Sequence, residues 1–105
     1  MTRQWVFTLE AETTLERLRT NPAHAGLYKQ LLKTLGWLET NLRHPLLNTH
    51  EYTSLKGPGN EKVYEAYVQN RTPGAYRVFF HYGPDIIAKD RRIPVLTILF
   101  IIPHP

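Results

Sequence analysis

The chain has 105 residues and no cysteine, so neither a disulfide framework nor a thiolate metal site is open to it. Thirteen Lys and Arg against nine Asp and Glu leave a net charge of +4, which suits an anionic partner such as nucleic acid or an acidic protein without requiring one. The length predicts one domain over residues 1–105, because halves would be too small to bury a core.

Trp5 to Leu9 mixes aromatic and β-branched residues and reads as a first strand. It is short and soon followed by Glu10 and Glu12, unlike a signal peptide. Thr13 and Glu16 form a capping-box pattern, predicting a short helix to about Arg19. Asn21-Pro22 is a second helix start, and Leu27, Leu31, Leu35, Leu38 and Leu42 recur at spacings of three and four. That stripe predicts a helix ending near Arg43, before Pro45. His44 to Glu61 holds Pro45, Asn48, Gly57, Pro58, Gly59 and Asn60 and reads as a structured loop. Strands are predicted over Lys62–Asn70 and Tyr76–Gly83, with a turn at Arg71–Gly74 between them. After a polar connection from Pro84 to Pro94, the apolar run Val95–Ile102 predicts a central strand covered on both faces. The run falls far short of the roughly 20 residues of a membrane-spanning helix, so no membrane association is expected and a cytoplasmic location is. The order β-α-α-β-β-β predicts an α+β fold, with two helices on one face of a mainly antiparallel four-stranded sheet.

Strand alternation divides Tyr76–Tyr82 into two faces. Tyr76, Val78, Phe80 and Tyr82 form an apolar face for the leucine stripe, while Arg77, Phe79 and His81 point the other way. A guanidinium, a ring and an imidazole in a row suit phosphate and base contacts. The other role open to Arg77 is an ion pair with a carboxylate such as Glu65 on the neighbouring strand.

Several segments in this order resemble the RelE/ParE superfamily of small bacterial toxins from type II toxin–antitoxin pairs. They are Arg43-His44-Pro45-Leu46, Leu55-Lys56-Gly57, Val63-Tyr64-Glu65-Ala66-Tyr67, and Gly74-Ala75-Tyr76-Arg77-Val78-Phe79-Phe80, followed by a last apolar strand. The resemblance implies a curved RelE-like sheet with an RNA-facing concavity and an acidic antitoxin as partner. RelE-like members cleave messenger RNA in the ribosomal A site, whereas ParE-like members inhibit DNA gyrase. In the cleavage branch the adjacent 2′-hydroxyl attacks the scissile phosphate, and the protein supplies alignment, proton transfer and charge stabilisation.

Carried over residue by residue, the resemblance implies Arg77 on the phosphate. His104 stands near the place of the catalytic histidine of the YoeB-like branch, as acid, with Ile102 where that branch has a basic residue. Glu51 stands near that branch's carboxylate base. Lys56, Lys62 and Arg71, with Phe79 and His81, would bind RNA, and His50 is a spare candidate. No His/Asp/Glu spacing resembles a metal site, and Gly57-Pro58-Gly59 lacks the Lys-Ser/Thr of a phosphate loop, so no metal or cofactor is expected. Two other readings stay open. One is a binding protein on the same scaffold, such as a gyrase inhibitor or a degenerate toxin, with the loop from Pro84 to Pro94 as a partner-binding tongue; the other is an α+β domain with no toxic role.

Overall fold

The computed structural model describes residues 3–70 and 72–104. Strand β1 (Gln4–Phe7) leads into helix α1 (Leu9–Thr20), and a 3₁₀ turn (Pro22–His24) leads into helix α2 (Ala25–Thr40). Strands β2 (His50–Lys56), β3 (Lys62–Tyr67) and β4 (Tyr76–Tyr82) follow. A small hairpin, β5 (Ile86–Ala88) and β6 (Arg91–Ile93), precedes the long strand β7 (Val95–Pro103). The fold is α+β, with two helices and a five-stranded sheet in the order β1-β7-β4-β3-β2. Among the described residues only the β1–β7 pair is parallel. The hairpin strands pair with each other outside that sheet.

The expected four strands are therefore five. The addition is β2, in a stretch whose Pro and Gly content reads as loop. Its pairing with β3 is loose: His50 faces Glu65, Glu51 faces Tyr64, and the next partners are Lys56 and Lys62. Five steps on β2 thus span two on β3, and the slack makes the strand irregular. The polar connection after β4 likewise contains the β5–β6 hairpin.

Helix α1 starts earlier than the capping box predicts. Thr8 is its N-cap, its hydroxyl oxygen accepting from the Ala11 amide at 3.2 Å and donating to the Leu99 carbonyl at 2.6 Å. Glu10 and Glu12 then fall in the first turn, where negative charge favours the helix dipole. The leucine stripe on α2 is buried as its spacing predicts, with Leu31, Leu35 and Leu38 in the core and Leu27 and Leu42 packed against it. They meet Ala66, Val78, Phe80, Leu96, Ile98 and Ile101 from the sheet. The helix stops at Thr40 rather than near Arg43, and the chain turns so that the His44 ring stacks on Trp37 at 3.7 Å.

On the opposite face a second, smaller cluster forms from Val63, Phe79 and Leu99, with Tyr52, Leu55 and Phe100 against it. Tyr52 meets the Phe79 ring edge-on at 5.0 Å. The slack in β2 thus puts cover where the sequence predicts an open basic face. Arg77, Phe79 and His81 do point away from the helices, but they are 8%, 1% and 1% exposed. No described helix is long and apolar enough to cross a membrane.

Candidate functional site

Glu65 is the centre of the ionic cluster on that second face. It lies in β3, opposite His50 of β2 and Phe79 of β4, and is 1% exposed. One carboxylate oxygen, Oε1, lies 2.7 Å from His50 Nε2, and the other, Oε2, lies 2.5 Å from His104 Nδ1. About half of each imidazole side chain is exposed, at 46% and 48%. A buried carboxylate is thus held between two histidines that reach solvent.

Local structure fixes both rings. Asn48 adopts the left-handed conformation that ends the Pro45–Leu47 turn, and its carbonyl lies 2.8 Å from His50 Nδ1. His50 therefore faces an acceptor at each nitrogen. His104 follows Pro103, which has no amide hydrogen to donate. Its own amide donates to the Ala75 carbonyl at 2.9 Å, extending the β7–β4 ladder past the proline. With Nδ1 turned to Glu65, Nε2 is the His104 nitrogen left without a partner among the described residues.

Arg77 stands behind this pair. Its Nη1 donates to the Gln69 carbonyl at 2.6 Å and to the Tyr76 carbonyl at 3.2 Å, and its guanidinium lies 3.6 Å from the centre of the Tyr67 ring. Its Nε is buried with no hydrogen-bond partner among the described residues, 3.9 Å from Glu65 Oε2. The guanidinium expected to sit in an open hollow is instead enclosed beside a carboxylate, as its other role anticipates. It is 8% exposed in this arrangement, and that enclosure corrects the direct phosphate contact expected of it.

The other expected site residues fall in three places. Glu51 pairs with Tyr64, which packs toward the helices, so the base expected there is directed to the face opposite Glu65. Its carboxylate lies 3.9 Å from the Lys56 ammonium. Lys56 and Lys62 are exposed register partners at the far end of β2 and β3. Phe79 lies under Tyr52, and His81 beneath the Gly57–Glu61 turn, where a Cβ on Gly57 would come within 3.1 Å of its ring. The RNA contacts expected of Phe79 and His81 as surface residues are corrected by this burial. Arg71 lies outside the described residues.

The arrangement brings His104 together with Arg77 and adds His50 and Glu65, which sequence reasoning names only as a spare histidine and an ion-pair partner. The missing signal is β2: once it is read as a strand, His50 is a cross-strand neighbour of Glu65. Chemically, an exposed imidazole oriented by a buried carboxylate is a competent proton acceptor or donor. Among the described residues no group of three His, Cys, Asp or Glu side chains is arranged to hold a metal ion. No family model matches the chain, and neither curated proteins nor solved structures give a match.

Proposed function

We propose that the chain is a RelE-like toxin component of a type II toxin–antitoxin pair, a ribosome-dependent endoribonuclease acting on messenger RNA. The observation that carries the reading is the buried Glu65 held between two half-exposed histidines beside a buried arginine. His104 Nε2 takes the proton of the 2′-hydroxyl, and the 2′-oxygen bonds to the scissile phosphorus. The bond from phosphorus to the 5′-oxygen breaks, leaving a 2′,3′-cyclic phosphate, and the departing oxygen takes a proton from water. Glu65 orients His104 and balances the imidazolium that forms, while His50 supplies a polar edge beside the phosphate. Arg77 holds Glu65 and Tyr67 in place.

The test is expression in a translating extract with a defined message and mapping of its cleaved ends. His104→Ala is expected to lower cleavage by about 10²- to 10⁴-fold, the usual contribution of a positioned acid or base. Undiminished cleavage in that variant would remove His104 from the mechanism. A second reading, a gyrase inhibitor on the same scaffold, draws support from the inward turn of Arg77 and from the exposed hairpin with Ile87, Lys89, Arg91 and Arg92. Inhibition of gyrase supercoiling with messages left intact would decide for it.

A further inference from the structure

Between β4 and β7 the hairpin β5–β6 stands outside the main sheet, and its root is held in place. The Gly83 amide donates to the Val95 carbonyl at 2.8 Å, the Thr97 hydroxyl donates to the Gly83 carbonyl at 2.7 Å, and the Val95 amide donates to Asp85 Oδ1 at 3.1 Å. Beyond that root every residue from Ile86 to Arg92 is exposed, Ile87 by 66%. A two-stranded ribbon with its side chains in solvent is marginal by itself, and further strands supply what it lacks. The two edges differ. Strand β6 carries Arg91 and Arg92, charges that discourage strand addition, whereas β5 is Ile86-Ile87-Ala88, uncharged and apolar. The two-residue turn Lys89-Asp90 closes on a pair, Ala88 and Arg91, that exchanges both hydrogen bonds, and bonded pairs alternate along the ribbon. Ile86 and Ala88 therefore bond to β6, and Ile87 turns its N–H and C=O to the open edge.

We propose that this edge pairs with β5 of a second copy of the chain, antiparallel about a two-fold axis at Ile87. The segment Asp85-Ile86-Ile87-Ala88-Lys89 is complementary to itself in that register. Ile87 faces Ile87 of the copy across a hydrogen-bonded pair, Ile86 faces Ala88, and Lys89 faces Asp85, so each arm sets an ammonium against the other's carboxylate. Moving the axis to Ile86 or Ala88 takes Lys89 off Asp85. Both charges are free to meet. Asp85 Oδ2 lies 4.0 Å from Arg92 Nε, beyond a hydrogen bond, and Lys89 has no ion-pair partner among the described residues. Any strand could satisfy the Ile87 backbone; the opposed charges at its two ends single out the chain's own. A nucleic acid fits less well, because Lys89, Arg91 and Arg92 against Asp85 and Asp90 leave the arm at only +1. The joined ribbon, β6-β5-β5-β6, keeps its arginines on the outer strands. It also leaves the ionic cluster open, since His104 lies past the far end of β7, roughly 25 Å from the hairpin root.

So short an edge makes a weak interface, below the ~1,200 Å² of transient complexes, so sedimentation equilibrium is run on the intact protein up to about millimolar concentration. The wild type is expected to dimerise as concentration rises. Ile87→Asp places like charges on the axis from an exposed position and is expected to weaken the dimer about tenfold. Lys89→Glu, which sets a carboxylate against Asp85 of the copy without touching the root, is expected to weaken it as well. The chain has no cysteine of its own, and a bonded antiparallel pair about 5.5 Å apart at Cα is within disulfide range. Ile87→Cys is therefore expected to cross-link in a glutathione buffer faster than Asp90→Cys at the tip. A wild type monomeric throughout, a dimer indifferent to Ile87→Asp or to Lys89→Glu, or Asp90→Cys linking as fast as Ile87→Cys would each overturn the proposal. So would a monomer whose arm is covered instead by gyrase or by RNA.

Discussion

Replacing Glu65 by Gln keeps its volume and removes its charge, and the structure indicates how much that costs. The carboxylate is 1% exposed, lies against two imidazoles, and is 3.9 Å from the guanidinium of Arg77, which is itself 8% exposed. Breaking a buried charge pair by removing one partner destabilises by about 3–5 kcal/mol, since the remaining charge stays buried. Arg77 keeps its two carbonyl partners and the Tyr67 ring, and its Nε is 3.9 Å rather than hydrogen-bonded distance from the carboxylate. The expected loss is therefore about 3 kcal/mol, the low end of that range. Urea unfolding, followed through Trp5 and Trp37, measures the loss in Glu65→Gln, Arg77→Met and the double variant. The two residues share one cluster, so the losses are expected to fall short of additive by about 1–3 kcal/mol. A Glu65→Gln protein within about 0.5 kcal/mol of wild type, or strict additivity, would refute the coupling.

Two further outcomes test the scaffold. Leu35→Ala, on the buried stripe of α2, is expected to cost about 2–5 kcal/mol in the same urea titration, with the spread set by how far the site collapses. In the turn between β2 and β3, the Glu61 carboxylate accepts from the Gly59 amide at 2.8 Å, and backbone hydrogen bonds, its own first, hold its pKa below the ordinary glutamate value. A carboxyl depressed in the folded state contributes stability above its unfolded pKa, and that contribution is lost as pH falls through the folded one. The Gly59 amide resonance is therefore expected to shift in a titration centred below the ordinary glutamate range, and Glu61→Gln is expected to abolish the shift.

Much of this fold is legible in the sequence wherever one residue pattern meets one physical demand. The leucines of α2 and the alternation of Tyr76–Tyr82 each specify a buried face, and both are directed as their periods require. The capping-box pattern at Thr13 and Glu16 points to a later start for α1 than the observed cap at Thr8. The choice is made by Leu99, 91 residues away, whose carbonyl accepts from Thr8. Strand β2 was hidden by weak alternation and by the Gly57-Pro58-Gly59 turn beside it. Losing it also hid the cover over Phe79 and the pairing of His50 with Glu65. Which face Arg77 occupies is a local property of β4. Whether that face is open depends on slack in another strand, which no pattern in β4 records.

The same cluster argues against a purely structural role for its charges. A buried Glu–Arg pair kept for stability gains most from close, bidentate contact that satisfies both partners. Here the guanidinium turns its Nη1 to two carbonyls and leaves Nε unmatched, and both glutamate oxygens go to imidazoles half in solvent. A charge desolvated at one end and tied to titratable, water-facing rings at the other is a poor way to stabilise a sheet. It is an effective way to hold an imidazole at a fixed angle with one nitrogen free. Strands β2, β3, β4 and β7 all contribute at one end of the sheet, and His104 is joined to the ladder there by a single amide past Pro103. The arrangement gives up close ion pairing, and what it provides in return is an oriented, accessible imidazole.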